Sequence, residues 1–132
     1  KLLVVEDHKL SQKVIRGMLS KLGLSADLAA NGKEALAMAT EKRYDLILMD
    51  CEMPEMDGFE ATQRIREYER RQGLVAVPIV ALTAHILREH RERSLASGMN
   101  AHIPKPVEMS VLREALVRFT RKDPGAADGD AN

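Results

Sequence analysis

An open α/β sheet, with parallel strands covered by helices on both faces, is the fold class this 132-residue sequence predicts. Three observations carry that expectation. Five short apolar runs alternate along the chain with five longer amphipathic stripes. Runs such as Leu2-Leu3-Val4-Val5 are apolar throughout, as strands buried on both faces are. The chain is also too short for a closed eightfold barrel, which takes about 250 residues, so right-handed crossovers leave the open, doubly wound sheet.

Each element has a local reason. Leu2–Val5 reads as a strand stopped by Glu6 and Asp7. Leu10, Val14, Ile15, Met18, Leu19 and Leu22 form one helical stripe, which Gly23 ends. Ser25–Ala30 is a weaker strand. Asn31 stands three residues before Glu34, as an N-cap and its reciprocal partner do, and opens an Ala-rich helix to about Thr40. Leu46-Ile47-Leu48-Met49 is a buried strand that runs into Asp50.

The Pro and Gly of Met53-Pro54-Glu55-Met56-Asp57-Gly58 mark a loop. Phe59, Thr62, Ile65 and Tyr68 then fall at steps of three on a helix whose far end is the charged stretch 67–72. Pro78 introduces the strand Ile79-Val80-Ala81-Leu82, with Thr83 at its end. Residues 86–97 make a poor helix: Ile86, Leu87 and Leu95 are apolar, but His90, Arg91 and Glu92 break the stripe, and Gly98 closes it. Ala101–Pro104 is a short fifth strand before Lys105-Pro106. Val111, Leu112, Ala115, Leu116 and Phe119 form the last stripe. Residues 1–120 are thus expected as one domain, and the polar tail 121–132 as disordered.

Composition excludes several functions. Twenty basic residues balance twenty acidic ones, which gives no electrostatic reason to expect nucleic acid or an anionic membrane. A single cysteine cannot form an internal disulfide, so a reducing, cytoplasmic setting is expected. No apolar run approaches the ~18 residues of a membrane span. The chain starts on Lys1 and enters an apolar run at once, as a domain cut from a longer protein would.

In open α/β sheets the site lies at the carboxyl ends of the strands. Glu6 and Asp7 end the first strand, Asp50 the third, Thr83 the fourth and Lys105 the fifth. A lone acid after a strand is more often a helix cap. Three acids on neighbouring strand ends repel by several kcal/mol at intermediate dielectric, a cost that a divalent cation or a protonated carboxyl relieves. Oxygen ligands without His or Cys select Mg2+. Three carboxylates, a hydroxyl and a lysine form a complete set for phosphoryl transfer to a carboxylate. Asp50, on the central strand and ahead of a loop, is the nucleophile in this reading. Glu6 and Asp7 hold the metal, and Thr83 and Lys105 bind the phosphoryl oxygens.

Glu6-Asp7, the run Asp50-Cys51-Glu52-Met53-Pro54-Glu55-Met56-Asp57-Gly58, Leu82-Thr83-Ala84 and Lys105-Pro106 together resemble a response regulator receiver domain, over about residues 1–120. The resemblance implies a flavodoxin-like sheet of order 2-1-3-4-5 with five helices, and phosphorylation of Asp50 by a phosphohistidine donor. It implies Mg2+ held by Asp7, Asp50 and the backbone carbonyl of Glu52, with Glu6 acting through water, and a cis Lys105–Pro106 bond. Where the family usually carries a switching Tyr or Phe, this sequence has His102, read either as a weaker or pH-sensitive half of the switch or as an exposed strand-end histidine. Cys51 reads as a packed residue rather than a redox centre.

The segment Glu6–Val14, with Met-Asp-Cys-Glu-Met-Pro and Ala-Leu-Thr-Ala-His, is similar to receivers fused behind the kinase in hybrid sensor histidine kinases. The implied partners are a histidine kinase or a histidine-containing phosphotransfer domain, which would dock over the loops around Asp50 and the first helix near Ser11, Ile15 and Met18. The implied setting is the cytoplasm, free or tethered to a membrane-bound sensor. Three alternatives stay open: a stand-alone single-domain response regulator, a hydrolase working through an aspartyl phosphate, and a pseudo-receiver acting only as a binding surface. Whether the domain counts as an enzyme turns on how far it catalyses its own phosphorylation and dephosphorylation.

Overall fold

The computed structural model describes residues 1–53, 56–84 and 88–120, with only the backbone described at 88–90. Five strands alternate with five helices: β1 (Leu2–Val5), α1 (Lys9–Lys21), β2 (Ala26–Ala29), α2 (Gly32–Glu41), β3 (Leu46–Asp50), α3 (Gly58–Gln72), β4 (Ile79–Thr83), α4 (Arg88–Ser97), β5 (Ala101–Pro104) and α5 (Met109–Thr120). All strand pairs are parallel, in the order β2-β1-β3-β4-β5. The chain reverses direction across the sheet between β1 and β3, so the crevice opens beside their carboxyl ends.

Two cores cover the sheet. Leu3, Val5, Ile47, Met49, Ile79 and Ala81 face one way and pack on Ala35, Ala39, Phe59, Ala61 and Ile65 of α2 and α3. Leu2, Val4, Leu46, Leu48, Val80 and Leu82 face the other way, against Ile15, Leu19, Leu112 and Leu116 of α1 and α5. This is why the strands are apolar throughout: each alternate residue enters a different core.

The helix boundaries have visible causes. Asn31 Oδ1 accepts from the Glu34 N–H at 2.8 Å, and Glu34 Oε1 accepts from the Ala30 N–H at 2.8 Å, so the expected reciprocal cap of α2 is present. Gly23, at φ 77°, follows the end of α1. Two expectations change. Leu10 and Val14 belong to the apolar stripe of α1, yet they are exposed, because only Ile15 and Leu19 of that helix are buried. On α3 the inward row includes Phe59, Ala61, Thr62, Ile65 and Glu69, while Tyr68 is half-buried and donates its hydroxyl to the Thr40 carbonyl at 3.2 Å.

The helix expected over 86–97 is described from Arg88, and residues 86–87, like the tail 121–132, lie outside the described residues. It has the weakest apolar face of the five: Leu95 is exposed, and the inward residues Ser94 and Ser97 are polar. No helix among the described residues is long and apolar enough to cross a membrane.

Candidate functional site

The β1 ladder continues one residue past the strand, where the Glu6 N–H donates to the Ala29 carbonyl at 3.0 Å. That bond carries the Glu6 side chain into the interior, where it is fully buried. Its Oε2 accepts from the His8 N–H at 3.1 Å, and its carbonyl accepts from Gln12 Nε2 at 2.7 Å. Asp7 follows, half-buried. Asp50 is the last residue of β3, as expected, and its side chain is buried.

Past Asp50 the chain turns back over its own strand. The Cys51 N–H donates to the Leu82 carbonyl, and the Gly58 N–H donates to the Cys51 carbonyl at 3.2 Å. A Cβ on Gly58 would stand 2.3 Å from the Asp50 carbonyl oxygen, so only glycine lets the loop close here. Asp57 then caps α3 by accepting from the Glu60 N–H at 2.9 Å. Pro54 and Glu55 of this loop lie outside the described residues. On the far side, the Lys105 N–H donates to the Thr83 carbonyl at 2.8 Å, which brings the lysine over the site, and Lys105–Pro106 is cis.

Four of the five expected side chains, those of Glu6, Asp7, Asp50 and Lys105, converge. Ligand oxygens of Glu6, Asp7 and Asp50 all lie within 4.8 Å of one another. Lys105 Nζ donates to Asp50 Oδ1 at 3.0 Å and forms an ion pair with Glu6 Oε1 at 3.5 Å, without a hydrogen bond to it. Asp50 Oδ1 also accepts from the Glu52 N–H at 3.1 Å. Three buried oxygens, one from each acid, have no hydrogen-bond partner among the described residues: Glu6 Oε1, Asp7 Oδ1 and Asp50 Oδ2. Buried carboxylate oxygens are seldom left so.

The electrostatics follow from this crowding. Burial pushes the Asp50 carboxyl up to about 6, opposed by the Lys105 hydrogen bond and reinforced by the Glu6 charge. Burial alone would lower the Lys105 ammonium, but the Asp50 hydrogen bond and the charges of Asp50, Glu6 and Glu52 outweigh it and leave its pKa raised. The arrangement has a surplus of negative charge that one ammonium does not satisfy. A small hard dication bound by oxygen fits the orphaned atoms and the all-oxygen donor set, as Mg2+ does.

Thr83 is buried at the end of β4, and its hydroxyl donates to Glu52 Oε2 at 3.1 Å. The sequence placed an acid two residues after Asp50 without showing what its side chain touches. Cys51 is buried, and its thiol is pushed up to about 12 by burial and by the charges of Glu52 and Asp50, so it stays neutral. His102 lies half-buried on β5, its Nε2 3.3 Å from the donating Arg91 Nε. Burial and the Arg91 charge hold its pKa below the usual value.

The apolar surface beside the site is not quite the one expected. Ile15 is in the core, and Ser11 and Met18 are half-buried. The exposed apolar side chains of α1 are Leu10 and Val14, at 75% and 51% exposure.

The response regulator receiver domain family model matches residues 2–117. A probable histidine kinase of rice, Oryza sativa subsp. indica, is 41% identical over 128 residues, covering 86% of this chain and 12% of the kinase, so the chain spans a small part of that relative. Among solved structures, the receiver domain of the sensor histidine kinase PA1611 from Pseudomonas aeruginosa, with magnesium coordinated in its active-site cleft, is 42% identical with a TM-score of 0.82. The match covers 92% of this chain and 97% of that one. A Saccharomyces cerevisiae co-crystal of the histidine phosphotransfer protein Ypd1 and the receiver domain of its downstream response regulator Ssk1 gives 33% identity and a TM-score of 0.86, over 90% of this chain and 87% of that one.

Proposed function

This chain belongs to the response regulator receiver domain family, and on that premise we propose that it accepts a phosphoryl group on Asp50 from a phosphohistidine. One observation carries the assignment of the acceptor. Asp50 Oδ1 is held by the Lys105 ammonium and the Glu52 N–H, whereas Oδ2 has no hydrogen-bond partner among the described residues. Oδ2 is therefore the oxygen with a lone pair to give. Its attack forms the O–P bond as the P–N bond to the donor imidazole breaks, and the bonding pair leaves with the imidazole nitrogen.

Asp50 loses its charge in that step, which frees Lys105 to turn from Oδ1 to a phosphoryl oxygen. The Thr83 hydroxyl is the second donor on the same side. Glu6, Asp7 and Asp50, with the Glu52 carbonyl, are the residues that would hold Mg2+, whose contribution when bound is to offset the charge of the transferring oxygens. His102 takes the place of the switching aromatic on β5.

The rice and Pseudomonas histidine kinases support a further reading, in which the chain is the receiver module of a hybrid sensor histidine kinase; a cytoplasmic setting is part of this proposal. Its phosphodonor would be a histidine kinase or a histidine-containing phosphotransfer domain. The exposed Leu10 and Val14, in the first turns of α1 beside Glu6 and Asp7, supply the apolar contact for such a partner.

Intact-mass measurement after incubation with Mg2+ and a small phosphodonor tests the function. A persistent single adduct on the peptide carrying Asp50, absent from Asp50→Asn, is the expected result. Consumption of the donor without an adduct would mean a hydrolase. No reaction would mean a receiver fold serving only as a binding surface.

A further inference from the structure

The Glu52 side chain stands between the acceptor and its switch residue. The Glu52 backbone N–H donates to Asp50 Oδ1, while its carboxylate accepts a hydrogen bond from the Thr83 hydroxyl at 3.1 Å. Neither end of this bridge is loose. The Cys51 N–H to Leu82 carbonyl bond ties the start of the loop to β4 one residue before Thr83, and Thr83 itself is 2% exposed. The two partners differ in how much they need each other. Glu52 is exposed and would be solvated by water in any case. Thr83 is buried, and a buried hydroxyl requires an acceptor.

A hydroxyl has one proton to donate. It cannot be given to Glu52 and to a phosphoryl oxygen on Asp50 together. A carboxylate is also a stronger acceptor than a neutral group. We propose that Glu52 is a positioning residue that latches the Thr83 hydroxyl in the unphosphorylated domain, so that phosphorylation must draw this proton off a competing carboxylate before the strand-four end can respond. This rests on Asp50 being the phosphoryl acceptor. It implies that the threshold for switching is set by the side chain two residues beyond the acceptor, separately from the chemistry at Asp50.

The latch predicts a coupling that plain charge repulsion between Glu52 and the phosphoryl group does not. Beryllofluoride with Mg2+, titrated calorimetrically into the parent, Glu52→Gln, Glu52→Ala, Thr83→Ala and the double variant Glu52→Ala/Thr83→Ala, separates the two. Removing the competing acceptor should tighten beryllofluoride binding by about three- to tenfold, the size expected for one hydrogen bond. Glu52→Gln keeps an acceptor oxygen and should fall between parent and Glu52→Ala. In the Thr83→Ala background most of the gain should vanish. An equal gain in both backgrounds would leave only charge repulsion and overturn the latch, as would no gain at all. A parent domain that fails to bind beryllofluoride would instead overturn the acceptor site on which the latch depends.

Discussion

Among the described residues, the buried carboxylates at the two ends of the sheet are treated in opposite ways. At the amino end of β4, Glu69 of α3 is buried, with Oε1 on Arg66 NH1 at 2.8 Å and Oε2 on the Val77 N–H at 2.9 Å. Arg66 uses its remaining nitrogens on the Gly98 carbonyl and on Asn100 Oδ1, each at 2.9 Å, and Asn100 Oδ1 also accepts from the Ile79 N–H. The circuit closes. At the carboxyl end, Glu6 and Asp50 share Lys105, and with Asp7 they leave three buried oxygens that have no hydrogen-bond partner among the described residues. A buried charge with every partner supplied from the chain ties elements together, here α3, the start of β4 and the α4–β5 turn. A buried charge left short of partners is kept for something that arrives from outside.

The difference is sharpest in what amide and alanine substitutions do. Asp50→Asn should abolish phosphorylation outright, because the nucleophilic charge goes while the shape stays. The same change should leave metal-free stability equal or higher, since it removes one of three mutually repelling acids. Mass spectrometry and urea unfolding on the same sample check both halves. A variant that still gains a phosphoryl group on that peptide would remove Asp50 from the mechanism.

Arg66→Ala should do the reverse. It strands the Glu69 charge in the interior, and removing one partner of a buried pair costs about 3–5 kcal/mol. The urea midpoint should fall steeply, while beryllofluoride affinity in the folded protein changes little. Glu69→Gln should cost less, because Gln still accepts from the Val77 N–H. If Arg66→Ala cost no more than an exposed ion pair does, about 1 kcal/mol or less, the closed circuit would not be what anchors the α4–β5 turn.

The pH dependence of stability probes the carboxyl-end cluster. With the folded-state carboxyl of Asp50 raised to about 6 from an ordinary value of 3.8, the native state keeps a proton that the unfolded chain has already lost. Stability from this group is therefore full below about pH 4 and declines as pH rises through about 6. Over the whole range the loss should be on the order of 3 kcal/mol. Metal-free unfolding followed from pH 4.5 to 7 should show this slope in the parent and a flatter one in Asp50→Asn. A parent whose stability rises over that interval would mean that Lys105 dominates Asp50.

Most of the fold was legible because its causes are local. Four- and five-residue apolar runs, the Asn31/Glu34 cap and Gly23 each act within a few residues of themselves. The convergence of Glu6, Asp7, Asp50 and Lys105 was legible because a parallel sheet places all its carboxyl ends on one edge. What escaped depends on partners distant in sequence. Glu69 reads as one more member of a charged helix end until Arg66 and Val77 are seen around it. Leu10 and Val14 fit the helical period as well as Ile15 does, and packing alone decides which row turns inward. The Asp57 cap was hidden by its loop, although Glu60 three residues on was a usable signal. How α4 is held was equally invisible: Arg93 reaches Asp57 at 3.4 Å and lies over the Phe59 ring at 4.1 Å.

Metal addition gives the smallest effect and the most selective one. If the orphaned oxygens of Glu6 and Asp7, with the Asp50 carboxylate beside them, await a dication, Mg2+ should stabilise the native state by mass action, about 1.4 kcal/mol at ten times its dissociation constant. Ca2+, larger and more flexible in its coordination, should bind without supporting phosphorylation, because Mg2+ imposes the tighter oxygen geometry. Asp7→Ala removes one ligand and one repelling charge together. It should therefore lose the Mg2+ shift and the phosphorylation while its metal-free midpoint stays the same or rises. Arg66→Ala, however weakened, should keep the full Mg2+ shift, since its damage lies at the other end of β4. Thermal melts with and without millimolar Mg2+ on the parent and both variants decide the matter. A parent indifferent to Mg2+, together with a fully active Asp7→Ala, would mean that the unmatched oxygens serve no cation, and the contrast between the two buried groups would lose its chemical meaning.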